Sequence, residues 1–340
     1  MRVLMLSGDA SVLNQNSPAG QRTEEYRKIC GELEVLLCQR SVSSFVSGFW
    51  RGYKLMRQKR FDVVTAQSPE HWFLAWSLSK IFGTPWQMQI HTDIFSRHFA
   101  KESWKNKIRV NLAKFLATRA NGIRVVSERI KNSLTSNLSI PESKIQTSPI
   151  FVDIEKIKNS PARTDLRQKY PGKFIVLMAS RLSREKSIGF AVDVLSSLIR
   201  ANRRIVLVIA GEGSERKNLE LRIVNYGLGD NIVIENWNND LISYYKSCDL
   251  FLLTSNYEGY GLALLEAAAS GAKIISSDVG IAPELLDREN IFRVGDKNDL
   301  TLKLELAIDG KISQPKPILP QTKENYLRLY KEYLERCLKK

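Results

Sequence analysis

Leu250-Phe251-Leu252-Leu253-Thr254-Ser255-Asn256-Tyr257-Glu258-Gly259-Tyr260-Gly261-Leu262-Ala263-Leu264-Leu265-Glu266 is the stretch on which the fold of this chain turns. Its first four residues form a continuous apolar run, the pattern of a parallel strand buried on both faces. Gly259 and Gly261 break the loop that follows, and a helix is predicted from Leu262 to Ala269, stopped by Gly271. A strand, a glycine-broken turn and a helix N-terminus together make an anion seat, because unpaired backbone N–H groups and the helix dipole face the loop. Two carboxylates flank it: Glu258 in the loop and Glu266 about one turn inside the helix. A carboxylate repels phosphate but is a good bidentate acceptor for vicinal hydroxyls. A phosphate at the helix tip with a diol on each side describes a nucleotide-sugar, its ribose toward Glu266 and its sugar toward Glu258. A helix bearing two glutamates by chance has the same spacing, so the rest of the chain must decide.

The segment resembles the E-x7-E motif of family 4 retaining glycosyltransferases, which have the two-Rossmann-domain architecture called GT-B. Other elements of the second half extend the resemblance over most of residues 170–290. Ala179-Ser180-Arg181-Leu182-Ser183-Arg184-Glu185-Lys186 is similar to the family's G-R-L-x-x-x-K element, in which the positions of Arg181 and Lys186 bind the donor diphosphate. Fixed cations suit that task, since negative charge grows on the leaving phosphate as the glycosidic bond breaks. Ser180 and Ser187 stand where the family usually has glycine. Gly211 and Gly213, after the run Val206–Ala210, resemble a strand followed by a G-x-G turn; as a dinucleotide fingerprint this is weak, because the third glycine is missing. Asn236-Trp237-Asn238 matches the place where relatives contact the base: Trp237 either stacks on it or is a buried indole. Ser277-Asp278-Val279-Gly280-Ile281-Ala282-Pro283-Glu284 resembles the closing S-D-V-G-G-x-P-E element, with Ile281 in place of its second glycine. The resemblance thus implies a donor site of Arg181, Lys186, Gly211, Gly213, Trp237, Glu258, Gly259, Tyr260, Gly261, Leu262 and Glu266. Of these, Arg181, Lys186 and Glu258 are expected to be catalytic together with His91.

Short apolar runs alternate with helical stretches, as in parallel α/β units. Strands are predicted at Val3–Leu6, Glu34–Cys38, Val63–Ala66, Gln87–Ile90, Gly122–Val126 and Ile145–Thr147, then at Phe174–Met178, Ile205–Ile209, Ile232–Glu235, Leu250–Leu253 and Lys273–Ser276. Pro149, Pro161, Pro171 and Gly172 interrupt the pattern between the halves. The predicted fold is α/β, two Rossmann-like domains facing each other across a cleft. An acceptor domain covers 1–155 and a donor domain 156–320. After the Pro-rich stretch from Pro315 to Pro320, a final amphipathic helix, 322–340, crosses back to complete the first domain, as the resemblance implies.

The first half is less legible. His91 follows a buried strand, where a neutral imidazole can bond the donor sugar or orient an acceptor; a lone histidine is also often structural. Asp93 is a candidate for an acceptor hydroxyl. Ser127 either reaches the donor or caps the next helix. Gly20 can let an acceptor approach the backbone, and Arg22 can meet an anionic one such as a lipid phosphate, though both residues are also ordinary loop chemistry.

The 340 residues suffice for two cores, and 43% apolar with 26% charged residues is the composition of a soluble protein. No apolar run reaches the roughly 20 residues a bilayer span requires. Cys30, Cys38, Cys248 and Cys337 lack metal-type spacing, and reduced thiols point to the cytosol. The net charge of +15 is concentrated in residues 1–150, which carry +11. It is densest from Arg97 to Lys131, where Phe95, Phe99, Trp104, Ile108, Leu112, Phe115 and Leu116 recur at amphipathic helical spacing. Such a basic, aromatic helix suits the anionic inner face of a membrane, or is simply a solvated domain helix. No zinc finger, RNP motif or KH loop supports nucleic acid. The expectation is a cytoplasmic, peripherally membrane-bound hexosyltransferase of bacterial polysaccharide or glycolipid synthesis. It would use a UDP- or GDP-sugar as substrate and need no cofactor or metal. A nucleotide-sugar 2-epimerase of the same fold and a non-catalytic basic binding protein are the alternatives.

Overall fold

The computed structural model describes residues 1–39, 41–238, 240–318 and 321–338. The last two residues of the Pro-rich stretch, Leu319 and Pro320, lie outside them, as do the two terminal lysines. Two compact units form, Met1–Phe151 with Thr322–Lys340, and Val152–Gln321.

In the first unit six strands make one parallel sheet: β1 (Arg2–Ser7), β2 (Glu32–Leu37), β3 (Val63–Ala66), β4 (Trp86–Ile90), β5 (Gly122–Val125) and β6 (Ile145–Thr147), in the order β2-β1-β3-β4-β5-β6. Val3, Leu4, Met5 and Leu6 are wholly buried, as a central strand covered on both faces requires. The helix Lys323–Arg336 belongs to this unit. Thr322 caps it by accepting from the N–H of Asn325 at 3.2 Å. Its apolar stripe, Tyr326, Tyr330 and Leu334, packs with Val3, Met5, Tyr26 and Val63, and the Tyr330 ring stacks on Tyr26 at 3.9 Å between centroids.

The predicted basic helix is corrected by the structure. Ser103 ends one helix, Arg97–Glu102, and its side chain caps a second, Trp104–Ala117, by accepting from the Asn106 N–H at 3.1 Å. A serine inside an otherwise periodic stretch is the break that spacing alone passes over. Gly122 to Lys131 then holds strand β5 and the start of a third helix, Glu128–Leu138.

The second unit repeats the design with β7 (Phe174–Ala179), β8 (Ile205–Ala210), β9 (Ile232–Glu235), β10 (Leu250–Leu253), β11 (Ile274–Ser277) and β12 (Ile291–Phe292), ordered β12-β11-β10-β7-β8-β9, all parallel. The two-residue β12 escapes sequence reading because it is too short to show a period. Ile175, Leu177, Val206, Val208, Phe251 and Leu253 enter one core layer, under the helix Leu262–Ala269. Val176, Met178, Leu207, Ile209, Leu250 and Leu252 enter the other, under the helix Ile188–Ala201. This period of two is that of a doubly covered sheet, and cutting the fully buried Phe251 to alanine is expected to cost about 3–5 kcal/mol. The strand order reverses between β7 and β10. Loops leaving neighbouring strands at such a point diverge to opposite faces, and the gap between them is where α/β sheets bind ligands.

Candidate functional site

The loops after β7 and β10 meet across that reversal point. Thr254 donates its hydroxyl to the carbonyls of Lys186 and Ser187 at 2.9 and 3.1 Å, and the Asn256 N–H donates to the Glu185 carbonyl at 2.7 Å. Held this way, Lys186 Nζ reaches Glu258 Oε1 at 2.5 Å, and the two side chains are only 15% and 14% exposed. Ser255 donates to the same carboxylate oxygen at 2.8 Å, and the Ser277 hydroxyl of β11 anchors the Ser255 carbonyl at 2.7 Å. Glu258 is therefore fixed by a cation and a hydroxyl, and nothing in its motif pointed to Ser255 as its support. The signal was present: a serine two residues beyond a buried strand, itself buried, has to satisfy its hydroxyl locally.

Beyond this pair, the glycines shape the floor. A Cβ on Gly211 would lie 1.9 Å from the Ser180 carbonyl oxygen, and one on Gly213 would lie 2.3 Å from that of Leu182. The turn after β8 thus packs its backbone onto the turn after β7, joined by the Leu182 N–H to Glu212 carbonyl bond of 2.8 Å. Gly280, at φ +51°, comes equally close to the Tyr260 carbonyl, which accepts from the Ile281 N–H at 2.9 Å. Ile281 itself is buried at φ −86°, so the missing second glycine is not needed there. Ser187 has taken the left-handed backbone, φ +51°, of the glycine it replaces.

Gly261, at φ +96°, opens the helix Leu262–Ala269, and no side chain caps this N-terminus. Burial and then the nearby Glu284 carboxylate push the Tyr260 phenol up to about 12. Glu266 lies in the helix, its pKa raised by burial against the bond that Tyr245 donates at 3.5 Å. Arg181 stands 78% exposed, 3.3 Å from Glu185, whose carbonyl holds Asn256. Trp237 is 51% exposed beyond β9, which corrects the buried-indole alternative: a short loop leaves the ring nothing to pack beneath. Among the described residues no three His, Cys, Asp or Glu side chains cluster as metal ligands would.

The first unit groups its candidates at the ends of β4 and β5. His91 Nε2 lies 3.3 Å from Gln89 Oε1. Burial, followed by the charges of Arg124 and Arg22, lowers its pKa to about 3, so it is neutral. Asp93 accepts from the Ser133 hydroxyl at 3.4 Å, and burial raises its pKa. Ser127 accepts from the Ile130 N–H at 3.4 Å and caps the helix Glu128–Leu138. The space beside Gly20 is filled by the chain itself, since a Cβ would meet the Asn14 carbonyl oxygen at 1.9 Å. Gln89 and Arg124 were overlooked, although Gln87 and Gln89 alternating in a buried strand, and an arginine within Gly122–Val125, are polar residues whose burial demands partners.

Residues 163–318 match the family described as Glycosyl transferases group 1, and residues 12–156 match Glycosyltransferase Family 4. The UDP-Gal:alpha-D-GlcNAc-diphosphoundecaprenol alpha-1,3-galactosyltransferase of Escherichia coli is 27% identical over 67% of this chain. The alpha-D-kanosaminyltransferase of Streptomyces kanamyceticus is 25% identical over 63%. The matched regions span 60% and 58% of those relatives' own lengths. The crystal structure of Anabaena HepE in complex with UDP and glucose shares the fold, with a TM-score of 0.72 and 18% identity over 98% of this chain and 95% of that one.

Proposed function

This chain belongs to family 4 of the glycosyltransferases, with two Rossmann-like domains of the GT-B type, and from that premise we propose that it transfers a sugar from a nucleotide-diphosphate sugar to an acceptor hydroxyl, retaining the anomeric configuration. The observation that carries the proposal is the meeting of Lys186 and Glu258 across the reversal point of the second sheet, beside a helix N-terminus that no side chain caps. Lys186, Arg181 and the N–H groups at Gly261 and Leu262 bind the diphosphate. Glu258 and Glu266 accept from the hydroxyls of sugar and ribose. Gly211, Gly213, Gly259 and Tyr260 shape the backbone around the nucleotide, and the open face of Trp237 stacks on the base. In the first unit His91, Asp93 and Arg22 serve the acceptor.

In the reaction the acceptor oxygen bonds to the anomeric carbon as the bond from that carbon to the phosphate oxygen breaks on the same face. The acceptor's proton passes to the departing phosphate, giving a glycoside and a nucleoside diphosphate. Uracil is the favoured base, because the HepE crystals hold UDP and the Escherichia coli relative is named for UDP-Gal. That relative is named for an acceptor carried on a lipid diphosphate, which suits the basic first unit and a peripheral place on an anionic membrane. Lys101, Lys105 and Lys107 surround the exposed Trp104 and Ile108, whereas Arg109 is already bound to Glu70 at 2.6 Å. No helix among the described residues is long and apolar enough to cross a membrane.

Incubation with UDP-hexoses and a lipid extract tests the proposal. A new α-linked glycolipid together with released UDP is expected. Formation of an epimer from the donor alone, or no turnover of any UDP- or GDP-sugar, would refute it. Reversing Lys101, Lys105 and Lys107 should abolish sedimentation with anionic vesicles; unchanged sedimentation would make both helices structural ones.

A further inference from the structure

Arg124 is a fully buried cation in β5, 2% exposed, and its hydrogen bonds go to neutral oxygens. It donates to Gln89 Oε1 at 3.0 Å, to the Ser148 carbonyl at 3.2 Å and to the Tyr326 hydroxyl at 3.3 Å, and its guanidinium lies 5.1 Å from the Tyr330 ring centre. A guanidinium has donors only, so the Gln89 atom facing it must be the amide oxygen. The other end of that amide agrees: Gln89 Nε2 donates to Thr65 Oγ1 at 2.7 Å and lies 3.3 Å from Gln87 Oε1. Its orientation is fixed from both sides. The second neighbour of Gln89 Oε1 is His91 Nε2, at 3.3 Å. An oxygen already accepting from arginine can only accept again, and the imidazole nitrogen beside it must therefore carry the hydrogen.

We propose that Arg124 and Gln89 are positioning residues that hold His91 as the neutral tautomer protonated on Nε2, leaving Nδ1 as a hydrogen-bond acceptor. Neutrality has its own support in the charges around the ring. Arg124 in β5 and Arg22 in the helix Pro18–Cys30 both disfavour an imidazolium. Beside Arg124 the hydroxyls of Tyr26 and Tyr326 lie 2.5 Å apart, and burial raises the pKa of Tyr26 and Tyr330. Without Arg124 the Gln89 amide would be held through its Nε2 contacts to Thr65 and Gln87, and its oxygen would be fixed less firmly toward His91. The cost of burying a cation without a carboxylate is what makes the arrangement informative, because a structural role alone would be met by an apolar side chain.

The test is the long-range proton–nitrogen spectrum of full-length protein labelled with 15N-histidine, with His91 assigned by the signal lost in His91→Gln. In the free wild type a protonated Nε2 and a bare Nδ1 are expected, unchanged from pH 7.5 to pH 5. A proton on Nδ1, a mixture of tautomers, or titration near the ordinary histidine value of about 6.5 would overturn the proposal. Gln89→Leu should produce a mixture, and Gln89→Glu should bring in an imidazolium at pH 6, since a carboxylate favours the charged ring; an unmoved spectrum in both would also overturn it.

Discussion

Lys186 and Glu258, 72 residues apart in sequence, form a 2.5 Å ion pair that bridges the loops after β7 and β10. In the free protein the two groups proposed to grip opposite chemistries, phosphate and hydroxyl, neutralise each other. A diphosphate arriving at Lys186 would loosen that bond and release Glu258 to accept from the sugar. On the proposed reading, the pair holds the two loops together and is partly exchanged when a diphosphate binds.

A double-mutant cycle measures this. With both side chains mostly buried, Lys186→Met and Glu258→Gln should each destabilise the protein, and the double variant should lose about 1–2 kcal/mol less than the two losses added, by urea unfolding. Additive losses would mean that the pair contributes nothing to the fold.

Glu266 should show the opposite balance. Burial raises its folded pKa, so its stabilising contribution is present below the ordinary carboxylate range and is lost as pH rises through the folded value. Glu266→Gln is accordingly expected to be at least as stable as the wild type at pH 7, with the difference vanishing near pH 4. The same variant should lose its response to UDP. A variant less stable at pH 7 yet still responsive would contradict both expectations.

Two backbone positions respond in opposite directions to substitution. Ser187 occupies a left-handed conformation that costs a side-chain-bearing residue about 1–2 kcal/mol, so Ser187→Gly should be neutral to stabilising. Gly280→Ala combines φ +51° with a Cβ 2.4 Å from the Tyr260 carbonyl oxygen, and should lower both Tm and affinity for nucleotide by displacing the Glu258–Gly261 loop. Thermal melts with and without UDP separate the two effects.

His91 supplies an acid-side test of the first unit. Its folded pKa of about 3 lies below the unfolded value of about 6.5, so the unfolded chain binds the extra proton between them. Relative to His91→Gln, the wild type should lose up to about 1.4 kcal/mol of stability per pH unit as pH falls below 6. Parallel stability curves for the two proteins would place His91 in a solvated setting.

Much of this was legible in the chain because buried parallel strands announce themselves as apolar runs, and eleven of the strands in the two sheets fall where such runs predict them. The helix after Gly261 begins and ends where its glycines and periodicity place it. What stayed hidden depends on three-dimensional neighbours. Ser255 and Thr254 matter through bonds across 3 to 68 residues, Arg124 through an amide and a tyrosine cluster, and the break at Ser103 through one capping bond. Trp237 could not be placed from type alone, because an indole beyond a strand end is buried or open according to the length of the loops around it.

The central claim, that the second unit holds a nucleotide-diphosphate sugar through Lys186, Arg181 and the helix at Gly261, is tested most directly by thermal denaturation with UDP-glucose and related UDP- and GDP-sugars in the presence of EDTA. At a hundred times the dissociation constant a ligand adds about 2.7 kcal/mol of apparent stability, and a clear rise in Tm is predicted for the wild type and none for Lys186→Ala. No rise with any nucleotide-sugar, or an equal rise in both proteins, would contradict it.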